Sequence, residues 1–343
     1  MSGSRTRVAV VAGVSAVLLG GTAAFGVSAW ADRRESTDPA ASAAAPGTWA
    51  GEGRIVFRTT APGDDYGHVA SVDIDAPAAD RRVSSEVCDR VDATPGILSC
   101  LRIVRGVVPA YSATVSRPDG SVVGAWPLPG IPSRTRISPA GDLVATTAFV
   151  SGHSYATVGF STATVIARQD GSSLGNLEDW RLTRDGTAIA PSDRNFWGVT
   201  FADDQTFYAT VGMSVSGTTW LVRGDIPSRA LEMIAENVEC PSLSPDGTRI
   251  AFKRVTGSDP GGPHWTPAVY DIATGRIDLL PEARGIDDQI EWLDGDTILY
   301  GMPRDDTRGD SDVWALDVDG TGEPRVLIEH AWSPAVVPDG SGG

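Results

Sequence analysis

Residues 240–254, CPSLSPDGTRIAFKR, have the pattern of two β-strands joined by a tight turn. Pro245 has its φ angle preset for the first corner of a type I turn, and Gly247 can adopt the left-handed conformation that closes it. Ser244 and Asp246 can hydrogen-bond to the turn backbone through their side chains. Alternating β-branched, aromatic and polar residues follow, as on a half-buried strand. We therefore interpret these four turn residues as architecture and not as a binding site.

Weaker copies of this hairpin recur along the chain. Each copy has a large apolar residue directly before the turn, which predicts that this residue fills the same position in a repeated core. Those residues are Ile137, Phe201, Leu243, Trp292 and Trp332. Two further strand patterns, separated by a Gly-containing turn, follow three of the copies. One unit is then a four-stranded meander of about 45 residues, the length of one β-propeller blade.

Counting these units predicts an all-β fold, a six-bladed β-propeller of four-stranded antiparallel blades. Five blades are expected at residues 87–130, 131–176, 177–235, 236–283 and 284–330. The sixth is split, because the segment from Trp332 has a first-strand pattern with no strands after it, and residues 54–86 have strand patterns with no first strand. Pairing of the C-terminal strand with the N-terminal blade would close the ring and protect its edges.

The Ser-Pro-Asp-Gly turn, followed by Ile-Ala-Phe at 250–252 and VYDIATG at 269–275, resembles the TolB-like β-propeller repeat. The resemblance extends over about residues 54–337. It implies the propeller fold and an interaction scaffold, although propellers host many unrelated activities. No residue here matches a known partner motif, so the resemblance identifies no particular partner.

The N-terminus is predicted to direct the chain across the cytoplasmic membrane. An uncharged apolar run at residues 8–31 follows Arg5 and Arg7, which is typical of a signal peptide or of an uncleaved transmembrane anchor. We therefore assign residues 1–35 to that segment. Residues 36–53, rich in Ala, Pro and Ser, are predicted to form a flexible linker, residues 54–338 the propeller, and residues 339–343 a disordered tail. Both interpretations make the propeller extracytoplasmic.

The charge of the chain argues against a nucleic-acid-binding role. Its 44 acidic and 28 basic residues give a formal net charge of −16, and a phosphate-binding surface needs clustered cations. Lys253 is the only lysine. We interpret the preference for arginine as the codon usage of a GC-rich genome, such as an actinobacterial one.

The three cysteines agree with export. Cys88 and Cys100 are predicted to form a structural disulfide across two adjacent strands, with residues 93–96 at the turn between them. Cys240 is left as a buried thiol that packs as a small apolar side chain. No Cys or His spacing indicates zinc, and we assign neither a metal nor a cofactor.

No catalytic constellation is visible in the sequence. The one Gly-x-Ser-x-Gly match, residues 171–175, begins in a predicted hairpin turn and does not join a strand to a helix, and we assign no catalytic residue. The most unusual loop is at residues 191–199, where Arg194, Phe196 and Trp197 are candidate ligand-binding residues; an insertion used only for packing is the alternative. We expect a monomeric, non-catalytic scaffold that binds an envelope protein, peptide or other envelope ligand. The alternative is a hydrolase or lactonase with its site at the central channel.

Overall fold

The computed structural model describes residues 45–150, 161–213 and 216–339. The predicted signal or anchor segment, residues 1–35, lies outside these residues, as do residues 340–343 of the predicted tail. Within the described ranges, no helix has the length and hydropathy needed to cross a membrane.

The described residues form 26 strands in six sheets, and each sheet is one blade of a propeller. Blade 1 consists, from the centre outward, of β26 (Ala331–Val337), β1 (Arg54–Thr59), β2 (His68–Asp73) and β3 (Arg82–Val87). Blade 2 consists of β4 (Arg90–Ala93), β5 (Leu98–Val104), β6 (Ala110–Ser116) and β7 (Val122–Pro127). Blade 3 consists of β8 (Ile131–Ile137), β9 (Leu143–Val150), β10 (Ser161–Arg168) and β11 (Ser173–Asn176).

The remaining three blades follow in chain order. Blade 4 consists of β14 (Arg194–Phe201), β15 (Thr206–Met213), β16 (Thr218–Asp225), β17 (Ala230–Glu236), β12 (Arg181–Arg184) and β13 (Thr187–Ile189). Blade 5 consists of β18 (Glu239–Leu243), β19 (Arg249–Asp259), β20 (Gly262–Asp271) and β21 (Ile277–Leu279). Blade 6 consists of β22 (Glu291–Trp292), β23 (Thr297–Pro303), β24 (Ser311–Asp317) and β25 (Arg325–Ile328).

The ring is closed by the C-terminal strand, as the sequence predicts. β26 pairs antiparallel with β1, with Val337 opposite Arg54 and Ala331 opposite Thr59. The innermost strands of neighbouring blades also contact one another all the way round, from β26 through β4, β8, β14, β18 and β22 back to β26. Both the six-bladed fold and its closure are therefore confirmed.

The register predicted for the closing strand is wrong. Trp332 lies near the beginning of β26, whereas Leu243 is the last residue of β18, directly before its turn. The residue of β26 that corresponds to Leu243 is Val337, which ends the strand and is followed by Pro338 and Asp339. The Trp-Ser-Pro sequence at residues 332–334, at the start of β26, therefore resembles the Leu-Ser-Pro sequence that begins the turn after β18.

Blade 4 departs from the predicted four strands because a hairpin is added to its outer edge. β12 pairs parallel with β17, and β13 pairs antiparallel with β12. Leu182 on β12 is buried, and so are Leu177 and Trp180 just before it, in the core of this blade. The extra hairpin therefore extends the apolar core outward, and only this blade carries more than four strands in the described residues.

The folded body begins before the first strand. Trp49, in the segment predicted as a linker, is fully buried against Val56, Val69 and Cys88. Its indole Nε1 lies 3.4 Å from the carboxylate of Glu86. The Trp49 side chain thus fills a space between the first two blades that the strands alone leave open.

The turn at 244–247 has a complete hydrogen-bond set. The hydroxyl of Ser244 accepts from the backbone N–H of Arg249 at 3.0 Å and donates to Asp246 at 2.5 Å. Asp246 also accepts from the N–H of Thr248 at 3.0 Å. These bonds to Ser244 and Thr248 lower the pKa of the Asp246 carboxyl. Gly247 has a φ of +71°.

Replacing Gly247 tests whether backbone conformation alone decides this position. A Cβ placed there meets nothing within 4 Å, so the cost of a substitution comes from φ and not from a clash. Gly247→Val should lose about 1–3 kcal/mol of unfolding free energy. Gly247→Asn should lose less, because Asn tolerates the left-handed region. Urea unfolding of both variants measures this; equal losses for Val and Asn would contradict the explanation.

Candidate functional site

The innermost strands of the blades are irregular at one level of the ring. β26, β8, β14 and β18 each contain a register shift relative to the neighbouring strand of their blade. Cys240 and Ser333, at two of these shifts, have φ angles of +50° and +56°. Bulges redirect side chains locally.

A charged constriction divides the channel. It leaves a cavity of only about 10 Å³, lined by Arg90, Arg134, Thr135, Arg136, Asp288, Gln289, Ser333 and Pro334. One carboxylate oxygen of Asp288 lies 3.4 Å from Arg90 and 3.8 Å from Arg134, and the other accepts from the N–H of Gly301 at 3.1 Å. Burial lowers the pKa of Arg90 to about 10, and the positive charge of the neighbouring Arg134 acts in the same direction.

On one side of the constriction the channel opens into a cavity of about 520 Å³, which we call the wide mouth. All six innermost strands end at it. The residue that precedes the last residue of each strand lines the cavity, so that one position is repeated six times around the ring. Those residues are Asp92, Arg136, Thr200, Ser242, Glu291 and Val336.

Three of these six residues form a buried charged cluster. The guanidinium of Arg136 lies 2.6 Å from Glu291 and 3.6 Å from Asp92. It also donates to the carbonyl of Ile290 at 3.1 Å. Asp92 accepts a 2.6 Å hydrogen bond from the backbone N–H of Ile137. One cation thus holds two carboxylates at the floor of the wide mouth.

Burial dominates the ionisation of this cluster. It raises the pKa of Glu291 to about 7, with the charge of Arg136 acting in the opposite direction. Burial also raises the pKa of Asp92 for the same reason. Burial alone would lower the pKa of Arg136, but Glu291, Asp92 and Asp288 together outweigh it and raise that pKa. The cluster therefore contains a carboxyl group that titrates close to neutral pH.

Hydrogen bonds between blades fix the walls of the wide mouth. Thr200 of blade 4 accepts from the N–H of Leu243 in blade 5 at 3.1 Å, just as Asp92 of blade 2 accepts from blade 3. The indole of Trp292 in blade 6 donates to the carbonyl of Ser242 in blade 5 at 2.8 Å. The same ring position therefore both lines the cavity and joins the blades.

On the other side of the constriction lies a second cavity of about 230 Å³, the narrow mouth. Its lining mixes aromatic and charged side chains from blades 3, 4 and 5 and from the segment before blade 6. The lining residues are Ser133, Arg134, Phe149, Thr162, Trp197, Glu239, Cys240, Lys253, Trp265 and Asp287.

The structure separates the three candidate ligand residues of the sequence. Arg194 begins β14 and donates from Nε to the carbonyl of Glu178 at 3.1 Å. Phe196 is fully buried in the core of blade 4. Trp197 lines the narrow mouth. Residues 194–199 belong to the innermost strand, and the additional residues of this blade form the β12–β13 hairpin instead.

The predicted disulfide is confirmed, with Cys88 and Cys100 joined at a Cα–Cα distance of 5.4 Å. Its predicted position across two adjacent strands is wrong, because Cys88 lies between β3 and β4 and only Cys100, on β5, is in a strand. Cys240 is a free, buried thiol. The turn residue Pro245 contributes to the wall of the wide mouth, so the turn borders this cavity as well as joining two strands. Among the described residues, no three His, Cys, Asp or Glu side chains form a group that could hold a metal ion.

The sequence contains a signal for the wide mouth in addition to the repeated apolar residue before each turn. The signal is the residue that directly precedes this apolar residue. Asp92, Arg136 and Glu291 occupy that preceding position in three blades. A charged residue recurring at one position of a strand that should face the channel indicates a lining site.

Comparison with known proteins identifies the fold. No protein-family model and no curated protein matches the chain. Among solved structures, TolB from Acinetobacter baumannii is similar with a TM-score of 0.56 and 18% identity, over 82% of this chain and 66% of that one. A puromycin-hydrolyzing peptidase from Mycobacterium tuberculosis is similar with a TM-score of 0.50 and 13% identity, over 83% of this chain and 46% of that one. The chain has a TolB-like β-propeller fold and spans less than two thirds of either structure.

Proposed function

We propose that this propeller is an extracytoplasmic, monomeric binding scaffold whose wide mouth takes a short cationic segment of an envelope protein or peptide. The observation that carries the proposal is the convergence of all six blades on one cavity with an acidic lining. Glu52, Asp92, Glu291 and Asp339 line it together with one cation, Arg136. The Cys88–Cys100 disulfide supports the location, because disulfides persist in oxidising compartments.

The wall of the wide mouth suits a peptide side chain as well as a charge. Ile137, Phe201, Leu243, Trp292 and Val336 supply apolar surface. Its volume of about 520 Å³ lies within the range of about 300–1,000 Å³ in which proteins bind small ligands. An aliphatic stem carrying an ammonium or guanidinium group would place its stem against this wall and its charge at the carboxylates.

Removing charge from the rim tests this proposal without disturbing the buried cluster. The double variant Glu52→Gln/Asp339→Asn should bind capped lysine-containing octapeptides several-fold more weakly than the full-length wild type, and added salt should shrink the difference. Fluorescence polarisation with peptides carrying zero to four lysines gives the measurement.

The matched control removes two exposed carboxylates from the outer part of blade 4, Asp185→Asn/Glu232→Gln. It should bind these peptides as the wild type does. The proposal would be contradicted if affinity did not depend on the charge of the peptide, or if the control variant lost as much affinity as the rim variant.

A second candidate is a hydrolase or lactonase that uses the same mouth. It is favoured by one observation, the raised pKa of Glu291, since a general acid or base is most effective when its pKa is near the working pH. Turnover of a lactone and ester panel by the full-length protein, with loss of that turnover in Glu291→Gln, would favour this reaction over simple binding.

A further inference from the structure

The narrow mouth combines buried cations with aromatic walls, and the proposed function makes no use of it. Phe149, Trp197 and Trp265 line the cavity beside Lys253 and Arg134. Its volume of about 230 Å³ equals on the order of eight water molecules at about 30 Å³ each. A ligand of that size is a small molecule and not a polypeptide.

Lys253 is the central group of this cavity. Its side chain is 3% exposed, and its ammonium lies 2.6 Å from the carboxylate of Asp287. The ammonium also lies 4.5 Å from the centre of the Trp265 ring. Within the described residues, Asp287 is its one hydrogen-bond acceptor, whereas an ammonium has three donors. Two N–H groups can therefore serve an additional acceptor.

The chemistry of Lys253 sets it apart from every other cation of the chain. It is the single lysine among 28 basic residues. An ammonium is a compact charge with three rotatable donors, whereas a guanidinium needs a wider planar space. A buried position between Trp265 and Asp287 favours the smaller group.

A second buried donor adds to the cationic character of this mouth. The Nε of Arg134 is buried and has no acceptor among the described residues. One of its terminal nitrogens donates to the carbonyl of Ser133 at 2.8 Å, and the other lies 3.8 Å from Asp288. A buried donor without an acceptor is costly, and an anionic ligand would supply the acceptor.

The carboxylates of the cavity differ in their availability to a competing ligand. Glu239 is buried and accepts a 3.1 Å hydrogen bond from the indole of Trp265, which fixes this aromatic wall. Burial raises the pKa of Glu239. The side chain of Asp287, in contrast, is 72% exposed. Asp287 can move into solvent when another anion takes its place, whereas the buried ammonium of Lys253 left without any partner would be costly.

We propose that the narrow mouth binds a small monocarboxylic acid with an aromatic body, whose carboxylate replaces Asp287 on the ammonium of Lys253. The ligand carboxylate would be shielded from water by the walls, so its hydrogen bonds to Lys253 would be stronger than that of the exposed Asp287. Its body would pack between the aromatic side chains. This site lies across the constriction from the wide mouth and does not depend on the function proposed there.

The unique lysine provides the probe. Full-length protein produced with lysine labelled with ¹³C at Cε should show one labelled side-chain signal, because Lys253 is the only lysine. Titration with phenylacetate at constant ionic strength should shift this signal saturably. Phenylacetamide, which has the same shape without the charge, should bind at least tenfold more weakly. Acetate, which lacks the aromatic body, should also bind at least tenfold more weakly.

Removing the competing carboxylate gives the second arm. Asp287→Asn should bind phenylacetate several-fold more tightly, with a thermal melt showing that the variant is folded. The exposed variant Asp185→Asn should bind it as the wild type does. Equal affinity for phenylacetate and phenylacetamide, equal affinity for acetate, no shift at all, or weaker binding by folded Asp287→Asn would each overturn the proposal. The comparison of the three ligands on the wild type stands even if the variant does not fold.

Discussion

A chain that ends at His330 is expected to form no soluble, cooperatively unfolding propeller. This truncation removes β26, the innermost strand of blade 1, and leaves one edge of β1 without a paired strand. An uncovered strand edge promotes pairing with other chains. The truncated protein should therefore elute as aggregate in size-exclusion chromatography and show no cooperative thermal transition near that of the full chain.

The physical reason is that β26 belongs to several cores at once. Ala335 and Val337 are buried with residues of blades 1 and 2, and Ala331 is buried on the other side with residues of blade 6. The hydroxyl of Ser333 bonds to both the N–H and the carbonyl of Val91 at 3.2 and 3.1 Å. Losing all of these contacts together should exceed the about 5–15 kcal/mol that stabilises a typical domain.

The control for this truncation removes only residues 340–343, which follow the described part of the chain. It should elute and melt as the full-length protein does. If the chain ending at His330 melted cooperatively within about 3 °C of that control, the change would correspond to only about 1 kcal/mol. Ring closure by β26 would then not stabilise the propeller.

The blades were predictable because their signals are local. A turn such as Ser244 to Gly247 needs particular residues within four positions, and a half-buried strand needs alternation within six to eight. The blade boundaries and the Cys88–Cys100 bridge follow from these signals and are found in the structure. The closing strand was identified from the same pattern, but its register was not, because Trp332 imitates the residue before a turn.

The extra strands of blade 4 depend on non-local pairing. β12 pairs with β17 in parallel, with Leu182 opposite Leu231, across an intervening stretch that contains four other strands. The short sequence of β12 contains no pattern that predicts such a pairing, because it resembles that of any edge strand. The sequence therefore predicts the insertion at residues 191–199, although residues 194–199 form part of the innermost strand.

The charged cluster of the channel also depends on non-local contacts that the sequence alone does not predict. Asp92, Arg136 and Glu291 come from blades 2, 3 and 6 and meet only because the ring closes. Their residue types are visible at equivalent positions of the repeat, but which blades face one another across the channel is a tertiary feature. Asp288 lies outside the innermost strands, in the segment that precedes β22, so the repeat gives no signal for it.

Replacing Asp288 by Asn should destabilise the propeller by about 3–5 kcal/mol, the range found when one partner of a buried ion pair is removed. The Asp288 side chain is 2% exposed and lies between the guanidinium groups of Arg90 and Arg134. Asn keeps the shape and an acceptor for the N–H of Gly301, so the loss reports the charge. Urea unfolding at pH 7 provides the measurement.

Asp296→Asn is the matched control, because Asp296 is 93% exposed and lies 3.8 Å from Arg249. Exposed pairs of this kind contribute about 0–1 kcal/mol. A loss for Asp288→Asn no larger than that of the control would show that water or rearrangement already screens the two arginines.

A double variant separates the uncompensated charge from the loss of packing. Arg134→Met in the Asp288→Asn background removes one of the two guanidinium groups that would otherwise face each other without a carboxylate. It should recover part of the lost stability, giving a coupling energy on the order of 1–3 kcal/mol between the two positions. If the two losses simply added, Asp288 would stabilise the fold through its shape and its bond to Gly301, and the constriction would not depend on charge. Arg134 lines both the constriction and the narrow mouth. The coupling energy between Asp288 and Arg134 therefore connects the stability of the ring with a cation that faces the second cavity.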